Sequence, residues 1–412
     1  MLDPALLRRN PRRVEEAARR KGFPFDAAGW ASVDEELRTV RRRRAEKRSD
    51  GAPGEEGGDH ASLRGAEQRL REKLRELSLL APNLPNPDRE EPWEFLSTRV
   101  SDPRSDPVLR PHTEMAASLG LVEHGKGRGI AGRGAAALTG PGASMERALE
   151  DTALRVLAAD FGFREFSAPP LVGEEHLVST GHFPYWKDRV WRISGENLVP
   201  APRMEAAVLG AFGGRLLEGR DLPLRLAGRF SASRREGGGY GRRARGLLRQ
   251  RQFRLVEIFW AGDPAEEDEA FRCGADAISA VLGGLGLGLR ARERATARLS
   301  FAGRRTADFE AWLPASGLWC TVGSLTAYGQ FQARRAELRF RPPRGKSRPC
   351  ATVTGTVLSI PRVLAAILET GQTGDGRLVL PDVLAEEMGM RVLPGPGTEG
   401  DTKGGARERI NV

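Results

Sequence analysis

Apolar residues keep to one helical face through the first eighty positions. Leu2, Leu6, Leu7, Val14 and Ala18 recur at helical intervals, and Pro4 and Pro11 stand where helices begin. Val33, Leu37, Val40 and Ala45 repeat the rhythm and predict a helix over about 33–48. The run from Ser49 to His60 (SDGAPGEEGGDH) breaks it, and Leu63, Leu70, Leu74, Leu77 and Leu80 restore it, mostly at heptad a and d positions. Two amphipathic helices around a breaker predict an antiparallel hairpin. With about sixteen to twenty residues each, its helices would reach ~25–30 Å. The pattern suits a protruding arm or a small helical cap on a larger body.

Pro82 to Pro92 (PNLPNPDREEP) reads as an extended linker, since proline disfavours helix at its own position and the one before. Beyond Trp93 short apolar runs alternate with loops. They predict a helix over about 144–161, strands over 198–200, 225–230, 253–260, 309–313, 319–322 and 336–340, and a helix over 360–370. Strands joined by irregular loops, with little βαβ alternation, predict an antiparallel α+β domain. The expected organisation is a helical unit over 1–84, a linker over 85–100, a main domain over 101–394, and a Gly-rich, charged, disordered tail over 395–412.

No apolar run approaches eighteen residues, which excludes a membrane-spanning helix, and the first residues lack the apolar stretch of a signal peptide. Cys273, Cys320 and Cys350 are far apart, without a CxxC pair, so neither a disulfide framework nor a cysteine zinc site is expected. These features predict a cytoplasmic protein. The net charge is +10, but arginine outnumbers lysine 58 to 7 amid abundant Ala and Gly, a skew that reads partly as genomic bias. Its sign still favours a polyanionic partner. All five histidines lie between His60 and His182, so chemistry in the C-terminal half is expected to work without histidine.

Candidate chemistry concentrates between Arg229 and Arg254, where nine arginines surround Gly237-Gly238-Gly239-Tyr240-Gly241 and one acid, Glu236. A glycine-rich, cationic connection between two strands offers forked guanidinium groups and approachable backbone to a triphosphate. The bland reading is a solvated arginine loop. Glu236 and Glu257, on or beside the strands, can accept from an amino group or from adenine's exocyclic amine. Thr354-Gly355-Thr356, read as a small-residue turn, precedes a helix carrying Arg362. Gly127 to Gly132 matches GxGxxG without a convincing preceding strand and is not read as a dinucleotide fingerprint. Cys320 reads as a packing residue.

In order, these stretches resemble bacterial-type seryl-tRNA synthetases, class II aminoacyl-tRNA ligases, from Met1 to about Gly389. LDPALLRRNPRRVEEAARRKGF is similar to that family's opening, and PNLPNP to its linker after the helical arm. The segment from Pro169 to Ile193 is similar to motif 1 and its continuation at the dimer interface. Ser233 to Phe259 is similar to motif 2, and Gly345 to Gln372 to motif 3. The resemblance implies a homodimer that uses Mg-ATP to convert serine to an adenylate and passes the acyl group to tRNA. It implies that Arg234 holds the α-phosphate, Glu236 the adenine amine and Arg362 the γ-phosphate end, with Arg235 and Ser324 also at ATP. Phe253 stacks on the base, and Glu257, Thr356 and Arg203 face the amino acid.

Departures from the family pattern cluster. Thr-Ala-Glu is here Ala201-Pro202-Arg203, and Glu-Ile-Ser-Ser is Thr321-Val322-Gly323-Ser324, which removes an acid that supports magnesium. Asn-Gly-Ser is Thr354-Gly355-Thr356. Two functions follow as expectations. The first is ATP-dependent activation of serine, or a related small acid, and transfer to tRNA. The alternative is an impaired paralogue that binds or regulates, or that acylates an acceptor other than tRNA. The arm is expected to be short, with Arg41 to Arg44 available to a phosphate backbone.

Overall fold

The computed structural model describes residues 1–50, 58–86, 94–97, 109–132, 134–235, 241 and 245–395. Helices α1 (Pro4–Arg9) and α2 (Pro11–Arg20) each begin on a proline, and the Asp3 carboxylate caps α1 by accepting from the Ala5 amide at 2.8 Å. Then come α3 (Ala27–Asp50) and α4 (Gly58–Leu80), of 24 and 23 residues. They pack antiparallel: Trp30 Nε1 donates to Ser78 Oγ at 2.8 Å near the base, and Arg41 and Arg44 reach Glu67 at 3.0 and 2.6 Å nearer the tip. At 1.5 Å per residue the arm extends about 36 Å, further than its apolar spacing predicted. The extra length lies at both ends: α3 begins six residues before Val33, at the base, and α4 begins five residues before Leu63, at the polar tip. Of the four arginines expected to meet phosphate, Arg41 and Arg44 are tied to Glu67, and Arg42 and Arg43 are exposed.

The N-terminal helices are keyed to the rest of the chain by Lys21. Its Nζ, 3% exposed, donates to the carbonyls of Asn83, Phe301 and Gly303 at 2.9, 2.9 and 2.7 Å. Leu2, Leu7, Val14 and Trp30 form one apolar cluster with Phe301, Tyr328 and Phe331.

Beyond the arm, the strands are β1 (Glu94–Ser97), β2 (Arg164–Glu165), β3 (Leu224–Ser233), β4 (Gln252–Gly262), β5 (Leu289–Glu293), β6 (Arg305–Leu313), β7 (Leu318–Gly329) and β8 (Ala351–Ser359). They form one sheet in the order β1-β5-β6-β7-β8-β4-β3-β2, antiparallel except for the β2–β3 edge. This is the expected α+β architecture, with β1 falling inside the span predicted as linker.

Alternation along β4 separates two cores. Val256, Ile258 and Trp260 face α5 (Pro141–Phe161), a helix over Glu267–Gly283 and another over Ile360–Thr370, while Leu255, Phe259 and Ala261 face helices over Glu174–Thr180 and Met204–Phe212. The late helix has the predicted bounds.

Two expectations are corrected. Thr354-Gly355-Thr356 is the middle of the fully buried strand β8 and not a turn. Residues 336–340 close a helix (Phe331–Ala336) and open a short strand (Arg339–Arg341), with the chain turning at Glu337 in a left-handed conformation. Gly127 and Gly129 lie in a short helix (His124–Ala131) that ends at Gly132, and Gly127 alone of the three is set against the backbone of Ala135 and Ala136. Cys320 is buried, in line with a packing role. The predicted tail lies almost wholly outside the described residues. None of the described helices is long and apolar enough to cross a membrane.

Candidate functional site

Register across the sheet lines up one row of polar positions. Gly228 of β3 faces Glu257 of β4, which faces Thr356 of β8, which faces Ser324 of β7, which faces Asp308 of β6. Directly opposed residues share a face, so five strands bring together positions up to 128 apart in sequence. Gly228 leaves room at the end of the row: a Cβ there would lie 2.2 Å from the Phe166 carbonyl and 2.8 Å from Met204 Sδ.

Glu257 is 2% exposed and has all its partners inside the protein. Its Oε1 accepts from Arg203 Nε at 2.9 Å and from Thr356 Oγ1 at 3.0 Å, and its Oε2 accepts from the Met204 amide at 2.6 Å. That amide opens the helix Met204–Phe212, whose N-terminal N–H groups attract an anion. Arg203 stands at the N-cap in extended backbone, pointed back to the sheet. Burial works against its charge, but Glu257 and Glu205 outweigh that and raise its pKa. Glu205 is buried beside it and accepts from Thr354 Oγ1 at 2.6 Å and Tyr328 Oη at 3.2 Å.

A cavity of about 1350 Å³ opens over this row. Arg234, Arg235, Phe253, Arg203, Ser324, Thr356, Thr321 and Arg362 all line it. The Arg234 amide donates to the Arg251 carbonyl at 2.8 Å, and its guanidinium lies 5.1 Å over the Phe253 ring, with Nη2 3.4 Å from the Pro202 carbonyl. Arg362, in the first turn of its helix, donates from Nε to the Leu248 carbonyl at 3.2 Å and from Nη1 to that of Thr321 at 2.9 Å. The two arginines, 128 positions apart, are thus held by backbone carbonyls at one cavity. Glu257 sits behind Arg203 and Thr356 and does not line it, and Glu236 lies outside the described residues. The dense arginine run divides: Arg254 and Arg229 turn away to Glu150 and Asp151 of α5 at 2.7 and 2.9 Å.

His182 also lines the cavity, although the histidine-poor C-terminal half was expected to act without one. Thr180 Oγ1 lies 2.9 Å from the Leu177 carbonyl and 2.8 Å from His182 Nδ1. Burial, with Arg234 and Arg203 nearby, pushes His182 down to about 3, against the opposite pull of Glu257, and keeps it neutral. Its segment was readable as motif 1-like, but only the fold shows that it lines the same cavity as the motif 2-like and motif 3-like residues.

Magnesium was implied by the family resemblance, and the residues present do not fit a protein-held ion. Among the described residues no group of three His, Cys, Asp or Glu side chains converges. Thr321 replaces the expected acid, Arg362 binds its carbonyl, and the neighbouring Asp308 is engaged by Arg294 through two bonds of 2.7 Å.

An antiparallel sheet with cavity-lining arginines on a strand end and on the last long helix defines a class II aminoacyl-tRNA synthetase core. The profile of the tRNA synthetase class II core domain (G, H, P, S and T) matches residues 189–371. The fold is shared with seryl-tRNA synthetase from Pyrococcus horikoshii, crystallised with ATP (TM-score 0.81, 24% identity, 96% of this chain and 100% of that one). It is shared as well with the cytoplasmic serine–tRNA ligase of Naegleria fowleri in complex with AMP (TM-score 0.85, 20% identity, 96% and 99%). The serine–tRNA ligase of Prochlorococcus marinus (strain MIT 9313) is 33% identical over 421 residues, 94% of this chain and 98% of that protein. The chain belongs to the serine–tRNA ligase family.

Proposed function

We propose that this protein is an ATP-dependent ligase that activates serine, or a small acid related to it, and transfers the acyl group to tRNA. A carboxylate oxygen of the acid attacks the α-phosphorus of ATP, the bond from that phosphorus to the bridging oxygen breaks, and pyrophosphate leaves. A ribose hydroxyl at the tRNA terminus then attacks the acyl carbon, AMP departs, and the hydroxyl proton passes to AMP or solvent. Positioning and charge stabilisation carry most of this chemistry, and a cavity rich in arginine supplies both.

The observation that carries the reading is the convergence of Arg234 and Arg362 on one cavity. In this reading Arg234 holds the α-phosphate, Arg362 the γ-phosphate end, and Arg235 and Ser324 assist at ATP. Phe253 stacks on the base, and Glu236 takes the adenine amine. Thr356 and Arg203 face the acid, with Glu257 acting through Arg203. Exposed Leu171, in the motif 1-like segment, and Leu198, on the strand paired with it, support a homodimer, and exposed Arg42 and Arg43 on the arm support contact with tRNA phosphates.

The Arg203–Glu257 ion pair favours a second reading, in which nucleotide binding persists without activation of serine. ATP–pyrophosphate exchange followed by acylation of total tRNA tests the proposal. Acid-dependent exchange and a labelled tRNA support it; ATP binding with neither overturns the ligase reading.

A further inference from the structure

We infer that His112, bonded to Glu369, is a positioning residue for ATP that fixes the seat of Arg362. The inference rests on the reading above, in which Arg362 holds the γ-phosphate end, and adds to it a residue that does not line the cavity. The helix over Ile360–Thr370 carries Arg362 in its first turn and Glu369 in its last. Glu369 is fully buried, and both of its oxygens are bonded. Oε1 accepts from the His112 amide at 3.1 Å, from His112 Nδ1 at 2.8 Å and from Ser316 Oγ at 2.6 Å, and Oε2 accepts from the Ser316 amide at 2.8 Å. Burial works to raise the Glu369 pKa, but the donors from His112 and Ser316 outweigh it and lower it. The group is therefore a carboxylate, which only accepts, and Nδ1 is the donor.

The same ring meets the turn that holds Arg362. Gly246 opens a short turn, Gly246–Leu248, at φ 57°, and a Cβ there would lie 2.7 Å from His112 Nε2 and 2.4 Å from Thr113 Cγ2. Nε2 has no hydrogen-bond partner among the described residues, so this edge of the buried ring serves as a packing surface for Gly246. Two residues on, the Leu248 carbonyl accepts from Arg362 Nε at 3.2 Å. Arg362 Nη1 donates to the Thr321 carbonyl at 2.9 Å, on the strand that follows Ser316. His112 thus joins the far end of the helix to the turn that grips its near end. The two carbonyl bonds leave further N–H groups of the guanidinium fork for a phosphate. A fork already held in place loses less freedom when the phosphate arrives.

The test is calorimetric titration of ATP, and of AMP, which lacks the β- and γ-phosphates, into the full chain and its variants. His112→Ala is expected to lower the ATP-to-AMP affinity ratio at least fivefold, with AMP affinity within twofold of the parent. Arg362→Ala is expected to lower the ratio at least tenfold. The double variant is expected to match Arg362→Ala within twofold, because a residue that acts through Arg362 adds nothing once Arg362 is gone. An affinity ratio is unaffected by the fraction of variant that folds. Should His112→Ala yield no folded protein, Gly246→Ala, which presses on the ring from the turn, is expected to shift the ratio in the same direction. Three results overturn the inference and leave the ligase reading standing: an unchanged ratio in the folded variant, an equal loss of ATP and AMP affinity, or a double variant weaker than Arg362→Ala by the full His112 factor. An unchanged ratio in Arg362→Ala removes the γ-phosphate assignment itself, and the inference with it.

Discussion

At the scale of single residues, Glu257 is the carboxylate to which the most distant parts of the site are bonded. Removing the Thr356 hydroxyl (Thr356→Val) leaves that buried carboxylate one donor short, and the expected cost is about 1–3 kcal/mol in denaturant melts. Gly228 sits opposite Glu257 because no side chain fits between Phe166 and Met204. Gly228→Ala is therefore expected to destabilise by at least about 2 kcal/mol, and a melt within a few tenths of the parent would contradict that packing. Residue type made part of this site legible: Arg234 and Arg235, singled out at the start of a glycine-rich connection, do line the cavity. Two features were not legible. Glu257 reads as a substrate contact until its three partners are seen, and His182 sits 52 positions before Arg234, with only tertiary structure to join them.

At the scale of elements, the helix over Ile360–Thr370 was readable to the residue because its apolar face is uninterrupted. Strand β8 was not, because threonine and glycine in sequence resemble a turn. Gly355 is there for contact and not for turning: a Cβ would lie 2.8 Å from both Leu325 Cδ1 and the Ser324 carbonyl. The docking of the N-terminal helices through Lys21 left no sequence signal either, since a lysine is ordinarily read as solvated. Burial pushes Lys21 down to about 7 from its ordinary 10.5, so between those values the unfolded chain holds a proton that the folded chain releases. Stability then rises with pH across that window and is lost as pH falls toward 7. Relative to Lys21→Met, which has no amine to titrate, the parent is expected to gain about 1–3 kcal/mol between pH 7 and 9. Parallel pH profiles would contradict a buried, titrating Lys21.

At the scale of the whole molecule, a sheet with two cores carries the cavity, and the arm is anchored to it through Lys21 and the Phe301 cluster. If the exposed apolar residues near the motif 1-like segment meet a second copy, Leu171→Glu with Leu198→Glu shifts the protein from dimer to monomer in light scattering; an unchanged dimer would place the interface elsewhere. The excess positive charge was legible from the sequence, but composition could not separate arginines facing the cavity from Arg229 and Arg254, which hold α5. Calorimetric titration of ATP into the parent, Arg234→Ala and Arg362→Ala tests whether the two arginines together clasp a nucleotide. The expected result is saturable binding by the parent and affinity at least tenfold weaker in each variant, with the fold retained by circular dichroism. ATP binding equal in all three proteins, or absent from the parent, would contradict it.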